Sequence, residues 1–243
     1  MVEVAYGDDP SETLDLFPAT QPGAPVLVYI HGGYWRALSK RDQSFVAAPF
    51  VEAGAMVAIP DYALCPAVTI EHITLQLVRA LAWLHRHAAG VGGDPERIVV
   101  AGHSAGGHLA AMLLACDWPA VGADLPHDLV AGALSISGLF DIEPLRHAPF
   151  LAPDLHLTAD SALRLSPAFM PAPRGPLVTV VGGKESEEFL RQSALIGTQW
   201  PTTVIGAEIV PGRHHMDVLH EIADPVSRTH QWALRLLGLP HAL

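Results

Sequence analysis

Residues 97–110 read RIVVAGHSAGGHLA, and this stretch decides the fold. Arg97–Ala101 has the composition of a strand buried on both faces, and the apolar stretch after the turn predicts a helix. Ser104 therefore lies where a strand turns sharply into a helix. Gly102 and Gly106 stand two residues before and after it, where such a turn leaves no room for a Cβ atom. The pattern predicts a nucleophile elbow, which holds a serine hydroxyl above the edge of a sheet.

Outward from this stretch, short apolar runs alternate with longer amphipathic segments, and Gly, Pro or Asp stands at each junction. This alternation is typical of β-α-β units on a mainly parallel sheet. We predict strands at Val26–Ile30, Met56–Pro60, Arg97–Ala101, Val130–Ile136, Leu177–Val181 and Thr203–Val210. The segments VEVAYG and ETLDLF predict an antiparallel pair at one edge. The sequence therefore predicts one α/β domain over residues 1–243, with a central sheet of about eight strands flanked by helices.

Helices are predicted between the strands, at Lys40–Ala53, Thr69–Ala89, Ser104–Cys116 and Asp224–Leu237. The clearest is Thr69–Ala89, where isoleucine and leucine recur at helical spacing and Gly90 follows as a stop. Residues 139–174 differ, because they are rich in Pro, His and Ala and show no period. Since this segment is too long for a plain connection, we predict that it forms a small or partial cap over a pocket.

Composition disfavours several classes of partner. The formal net charge is −11 and no basic run is present, which argues against binding to nucleic acid or an anionic membrane. The longest apolar stretch, near Leu109–Cys116, is far shorter than a membrane span, and acidic residues stand where a signal peptide is basic. Two cysteines do not make a disulfide framework. We expect a cytoplasmic protein that acts on a small molecule, and a homodimer is left open.

A serine hydroxyl attacks well only when a base takes its proton and an acid orients that base. With a nucleophile elbow, the chain order is serine, acid, histidine, the acid following a late strand and the histidine the last one. Glu185 follows the apolar run LVTVV, and His214 and His215 follow the last predicted strand. The sequence therefore predicts a catalytic triad of Ser104, Glu185 and one of these two histidines.

Three other carboxylates compete for the role of the acid. Asp141 follows an earlier strand and is the more serious rival. Glu187 and Glu188 lie close to Glu185, but we expect them to begin a helix, where acidic side chains stabilise the first turn.

The stretch HGGYW, residues 31–35, supplies what a serine nucleophile needs next. When a carbonyl is attacked its oxygen becomes an oxyanion, which backbone N–H groups commonly stabilise. Gly32 and Gly33 can turn their N–H groups inward because no side chain obstructs them. Ala105, at the start of the predicted helix, offers a further N–H. We predict that these three residues form an oxyanion hole.

Six segments together carry a family resemblance: HGGYW, DYALCP, GHSAGGHLA, SGLFDIEPL, RLSP and ESEEFLRQS. This combination resembles the kynurenine formamidase (arylformamidase) branch of the α/β-hydrolases, close to the hormone-sensitive-lipase-like esterases, over nearly the whole chain. In that family the acid opens the S-x-E-F run and is usually Asp, so the resemblance assigns the acid to Glu185. The family's histidine commonly precedes Phe, and here Met216 follows His215, which favours His215 over His214.

The resemblance implies a serine hydrolase that converts N-formylkynurenine to kynurenine and formate. Tyr34 and Trp35 would then line a flat slot for the aryl ring, the alternative being that both rings pack beneath the loop. Ser137, Arg36 and residues 139–174 are candidates for contacts to the amino-acid end of the substrate. The N-terminus is shorter than is usual in the family, so we expect a segment that helps to roof the pocket to be missing.

Two other functions remain open from the sequence. One is a general carboxylesterase for short-chain or aryl esters, with the same triad. The other is a non-catalytic ligand-binding protein on a hydrolase fold, which the presence of both serine and histidine disfavours. Although the chain has 14 histidines, no HxxxH or HxH motif comes with a matching carboxylate, so no metal or cofactor is expected.

Overall fold

The computed structural model describes residues 1–243 and contains one eight-stranded sheet in the order β1-β2-β4-β3-β5-β6-β7-β8. The strands are β1 (Val2–Ala5), β2 (Thr13–Phe17), β3 (Ala24–Ile30), β4 (Met56–Pro60), β5 (Gly93–His103), β6 (Val130–Ile136), β7 (Leu177–Gly182) and β8 (Val204–Val210). β2 is antiparallel to both β1 and β4, and the other neighbouring strands are parallel. The predicted α/β fold with a mainly parallel sheet is confirmed, including the antiparallel pair at the edge.

Eight α-helices and five 3₁₀ segments connect the strands. The helices are α1 (Ala47–Glu52), α2 (Ile70–His87), α3 (Ala105–Leu114), α4 (Trp118–Val121), α5 (Ala152–Leu155), α6 (Ala159–Arg164), α7 (Glu187–Gln199) and α8 (Arg228–Leu236). The 3₁₀ segments are Lys40–Val46, Ala88–Val91, Glu143–His147, Pro167–Phe169 and Val218–Ala223. Thr69 caps α2 by accepting a hydrogen bond from the His72 N–H, so the clearest predicted helix begins one residue later than expected.

Two helices are shorter in the structure than the sequence pattern predicts. Lys40–Ala53 is divided into a 3₁₀ segment and α1, because Pro49 has no N–H to donate and is tolerated only in the first turn of an α-helix. The last helix begins at Arg228 rather than Asp224, since Ser227 accepts a hydrogen bond from the His230 N–H and caps it there.

Both faces of the sheet are buried under helices. On β3, Val26, Val28 and Ile30 belong to a core cluster of 46 buried residues, whereas Leu27 and Tyr29 belong to a second cluster of 20. This alternation is the period of two that a strand imposes on its side chains. Helices α2 and α3 contribute to the larger cluster and α1 and α8 to the smaller one, so the molecule has three layers.

The junction of β5 and α3 packs tightly against the end of β3. A Cβ atom on Gly106 would lie 2.1 Å from the carbonyl oxygen of Ile30 and 2.7 Å from that of His31. Backbone atoms cannot move aside as a flexible side chain can. A glycine is therefore required where the first turn of α3 passes over the end of β3.

A buried lysine joins the edge hairpin to the 3₁₀ segment Lys40–Val46. Lys40 is 2% exposed. Its Nζ lies 2.6 Å from Glu3 Oε2, 3.0 Å from Asp15 Oδ1 and 2.9 Å from Thr13 Oγ1. Burial of an ammonium group is costly unless it is paired, so these contacts compensate the charge and hold the 3₁₀ segment against β1 and β2.

None of the helices combines the length and the apolar content that crossing a bilayer demands. Residues 139–174 contain two 3₁₀ segments and the short helices α5 and α6, between β6 and β7.

The contact at Gly106 gives a prediction about stability. Gly106→Ala should destabilise the protein by about 3 kcal/mol or more, because its methyl group clashes with backbone. Gly197, within α7, has nothing near its Cβ position, so Gly197→Ala should stabilise by about 0.5–1 kcal/mol. Urea unfolding followed by circular dichroism measures both. Equal free energies of unfolding for the two variants would contradict the assigned clash.

Candidate active site

Ser104 occupies the turn between β5 and α3. Its φ of 58° and ψ of −118° lie in a region that residues other than glycine rarely adopt. The Ser104 N–H donates a hydrogen bond of 2.8 Å to the carbonyl of Ile136, on the neighbouring strand β6. The residue is 3% exposed and lines a cavity at the carboxyl edge of the sheet. The fold thus places the serine in the wall of this cavity.

Three predicted residues form one hydrogen-bonded chain. His215 Nε2 lies 3.0 Å from Ser104 Oγ, and His215 Nδ1 lies 2.7 Å from Glu185 Oε2. Because the carboxylate accepts from Nδ1–H, the lone pair of Nε2 is directed at the serine hydroxyl. The chain order serine, acid, histidine is the one that the sequence predicted.

The side chain of Glu185 is fully buried, yet its carboxyl is held in the charged form. Burial by itself would raise the pKa of Glu185. Hydrogen bonds from His215, from Ser137 Oγ at 2.5 Å and from the Gly182 N–H at 2.7 Å outweigh burial, and the pKa is lowered. Ser137 therefore contacts the acid and not the cavity, a position that the sequence did not predict.

The other residues considered for the acid and the base lie outside this hydrogen-bonded triad. His214 has a side chain that is 59% exposed, and its Nδ1 accepts a hydrogen bond from a local backbone N–H. Asp141 is paired with a different residue, since its Oδ2 lies 3.4 Å from Nη2 of Arg191. Glu187 and Glu188 begin α7, as expected for acidic residues in a first helical turn.

Two aromatic rings contact the His215 imidazole. Phe189 stacks on it with ring centroids 4.2 Å apart, and the His103 ring lies 4.6 Å away. His103 Nε2 also lies 2.9 Å from the carbonyl oxygen of His215, to which it donates. Burial first, and then repulsion from His215, lower the pKa of His103 to about 3, so its ring is neutral. Sequence reasoning missed both positions, although the Phe of the ESEEF run was a signal.

The loop after β3 places backbone N–H groups beside the serine. A Cβ on Gly32 would lie 2.7 Å from the carbonyl oxygen of His103 and 3.3 Å from Ser104 Cβ, so the loop passes the serine too closely for a side chain at this position. Gly33 has φ of +98°, and a Cβ there would meet the carbonyl of Ala37 at 2.1 Å. The N–H groups of Gly32 and Gly33 form no hydrogen bond within the protein. Ala105 is the first residue of α3, where an N–H has no partner inside the helix.

The two aromatic residues after these glycines have different environments. Tyr34 lines the cavity. Trp35 does not, because it is 0% exposed and packs edge-on against His108 with ring centroids 5.0 Å apart. The φ angles of Tyr34 and Trp35 are 54° and 57°, so the chain continues to curl in the left-handed region and turns the indole inward. The expectation that Trp35 lines a substrate slot is therefore wrong.

The cavity has a volume of about 450 Å³ and a mainly apolar wall. Its apolar and aromatic lining residues are Tyr34, Leu38, Phe45, Met216 and Leu219. Residues 139–174 do not line it. They contact the loop after β3 instead, where Arg36 pairs with Asp154 and donates to the Phe150 carbonyl at 2.9 Å. Arg36 thus joins this segment to the loop and is not directed at the cavity.

Histidines that do not belong to the hydrogen-bonded triad make contacts of other kinds. His85 and His87, the HxH pair of the sequence, lie near backbone carbonyls at 3.3 and 2.7 Å. No group of three or more His, Cys, Asp or Glu side chains is arranged to hold a metal ion.

Comparison with known proteins agrees with this architecture. A family model described as alpha/beta hydrolase fold matches residues 27–211. Kynurenine formamidase of Salmo salar is 29% identical over 98% of this chain and 82% of its own length. Esterase LipQ of Mycobacterium tuberculosis is 34% identical over 58% of this chain and 35% of its own. The crystal structure of a candidate thioesterase from Silicibacter sp. TM1040 superimposes with a TM-score of 0.81 at 33% identity, covering 94% of this chain and 82% of that one.

The hydrogen bond from Ser137 to the buried carboxylate leads to a prediction about pH. A group whose pKa is lowered by folding adds stability above its unfolded pKa and loses that contribution as pH falls through the folded value. Ser137→Ala removes one cause of the lowering, so it should destabilise by about 2 kcal/mol at neutral pH. The difference in free energy of unfolding between this variant and the wild type should become smaller once the pH falls below 4.5, the ordinary pKa of a glutamate side chain.

Urea unfolding between neutral and acidic pH measures this gap. Ser193→Ala is the matched control, because that hydroxyl bonds to Thr179 Oγ1 and contacts no carboxylate. A Ser137→Ala deficit that stays constant with pH would show that the serine does not stabilise the charged form of Glu185.

Proposed function

The chain belongs to the alpha/beta hydrolase fold family, and we propose that it is an arylformamidase that hydrolyses N-formylkynurenine to kynurenine and formate. One observation carries the proposal. The hydrogen-bonded chain Ser104–His215–Glu185 ends in a cavity beside two backbone N–H groups that have no partner in the protein. This arrangement is what acyl transfer to a serine requires.

The first half of the reaction forms an acyl-enzyme. His215 Nε2 takes the proton of Ser104 Oγ as the oxygen attacks the formyl carbonyl, giving a tetrahedral intermediate. The carboxylate of Glu185 stabilises the imidazolium that results. The imidazolium then gives its proton to the leaving arylamine as the C–N bond breaks. The second half repeats the sequence with water, which releases formate and restores Ser104.

Backbone N–H groups stabilise the negative oxygen in both halves. Gly32 and Gly33 supply two donors that cost no reorganisation, because neither is bonded elsewhere. The N–H of Ala105 adds a third at the positive end of α3. One donor of this kind contributes about 3 kcal/mol to stabilisation of the transition state. These protein groups handle every proton and charge of the scheme, so it invokes no cofactor.

The formamide substrate is supported by the kynurenine formamidase of Salmo salar, whose similarity covers nearly the whole chain. Formyl is the smallest acyl group and needs little room beside Ser104. Tyr34 and the apolar residues of the cavity wall are suited to an aryl ring, which gains about 1 kcal/mol by contact with another ring beyond simple burial.

The proposal includes a cytoplasmic location and a small-molecule substrate. Cys65 and Cys116 are both free thiols, as is usual in reducing compartments. Burial raises the pKa of each to about 11, so neither is a reactive thiolate near neutral pH.

A carboxylesterase acting on short-chain or aryl esters is the second candidate. The same chain of residues would serve, and the mainly apolar cavity favours an uncharged ester. Esterase LipQ, similar over 58% of this chain, supports this alternative.

The roles in this mechanism predict distinct losses. Ser104→Ala and His215→Ala should each lower kcat by about 10³-fold or more, whereas His214→Ala should lose far less. Glu185→Gln should be severely impaired and Asp141→Asn should retain most activity. Steady-state kinetics with p-nitrophenyl acetate ranks the variants. A serine-directed organophosphate should label Ser104, and labelling of another serine would overturn the mechanism.

The substrate is tested by direct comparison. N-formylkynurenine should be preferred over p-nitrophenyl butyrate in kcat/KM, and Tyr34→Ala should reduce the preference because the wall of the aryl slot is lost. Trp35→Ala, whose ring packs away from the cavity, should instead lower stability by about 3–5 kcal/mol. Rapid turnover of the ester with negligible formamide hydrolysis would favour the esterase.

A further inference from the structure

Gln43 is a buried amide with no partner. It lies in the 3₁₀ segment Lys40–Val46, is 7% exposed and lines the same cavity as Ser104. Neither atom of its amide forms a hydrogen bond within the protein, and neither is sealed from solvent. Because no protein group occupies its donor or acceptor sites, this side chain has free hydrogen-bonding capacity for a ligand in the cavity.

The other two buried glutamines form hydrogen bonds through both amide atoms. Gln76, 0% exposed, accepts from the Ala63 N–H at 2.8 Å and donates to Ser11 Oγ at 3.1 Å. Gln192, 1% exposed, accepts from two backbone N–H groups and donates to a backbone carbonyl. Gln43 therefore differs from the other two buried glutamines, and the cavity is the only space from which a partner can reach it.

Two more polar side chains line the cavity near Gln43. The carboxylate of Asp42 is oriented by Ser39, whose N–H and hydroxyl each donate to Oδ2 at 2.9 Å. The His220 ring forms no hydrogen bond and lies 5.4 Å from the Phe45 ring, a contact that brings the segments Lys40–Val46 and Val218–Ala223 together. We call Asp42, Gln43 and His220 the polar wall.

We infer that the polar wall binds an α-amino-acid group on the leaving amine of the substrate. An ammonium group would face the carboxylate of Asp42, and a carboxylate would accept from the N–H groups of Gln43 and His220. An uncharged ester or acyl chain would leave the Gln43 amide and the His220 ring without a partner from the protein or the substrate, in a cavity that is otherwise mainly apolar. This inference rests on the proposed function and extends it, because it assigns the residues that select an amino-acid-bearing arylamine.

The test uses two inhibitors that differ only in this group. Kynurenine carries it, and 2-aminoacetophenone is the same aryl ketone with hydrogen in its place. Both are measured as competitive inhibitors of p-nitrophenyl acetate hydrolysis. Kynurenine should bind the wild type about 10-fold more tightly, and Gln43→Met or Asp42→Asn should remove most of this difference. Gln199→Met, an exposed site on α7, is the matched control and should retain it.

The outcomes separate this inference from the proposed function. Equal inhibition constants of the two ketones for the wild type would overturn the inference. A ratio of the two inhibition constants that is the same in both polar-wall variants as in the wild type would also overturn it. Loss of the ratio in both variants but not in Gln199→Met would support it. Circular dichroism shows whether each variant is folded. Hydrolysis of N-formylkynurenine is measured separately, so failure of the formamidase proposal does not decide the result for the polar wall.

Discussion

The close approach of Gly106 to the end of β3 is the contact on which the rest of the site depends. It presses the first turn of α3 against the carbonyl groups of Ile30 and His31. Because Ser104 precedes that turn and Gly32 follows that strand, the same contact sets the distance between the serine hydroxyl and the loop N–H groups. Fold and site are therefore determined together at this point, and a side chain at position 106 would disturb both.

The electrostatics of the site depend on keeping one charge and suppressing another. Glu185 is buried with three donors, which favour its ionised form. His103 is buried beside the same imidazole, but burial keeps it neutral. In the proposed mechanism His215 becomes an imidazolium, so a negative neighbour and an uncharged ring are the combination that lowers its energy. The hydrogen bond from His103 to the His215 backbone then positions the loop without adding a second positive charge.

Features signalled within a few residues could be predicted from the sequence. The elbow at Ser104 follows from glycines at fixed offsets between a strand and a helix, and Glu185 and His215 follow from their places after late strands. Trp35 could not be placed, because the direction of its ring depends on three successive residues with positive φ. Ser137 and Gln43 were not recognised for a related reason. The significance of Ser137 depends on a partner 48 residues away, and that of Gln43 depends on its place in the lining of the cavity.

The buried ammonium of Lys40 has a consequence for work with this protein. It connects Glu3, Thr13 and Asp15 to the segment that carries Asp42 and Gln43. The edge hairpin thus supports the segment that forms part of the cavity wall, although it contributes no residue to the lining. If the polar wall selects the substrate as inferred, a truncation through β1 would alter that selection before it altered the chemistry, since Ser104, His215 and Glu185 follow strands of the opposite half of the sheet.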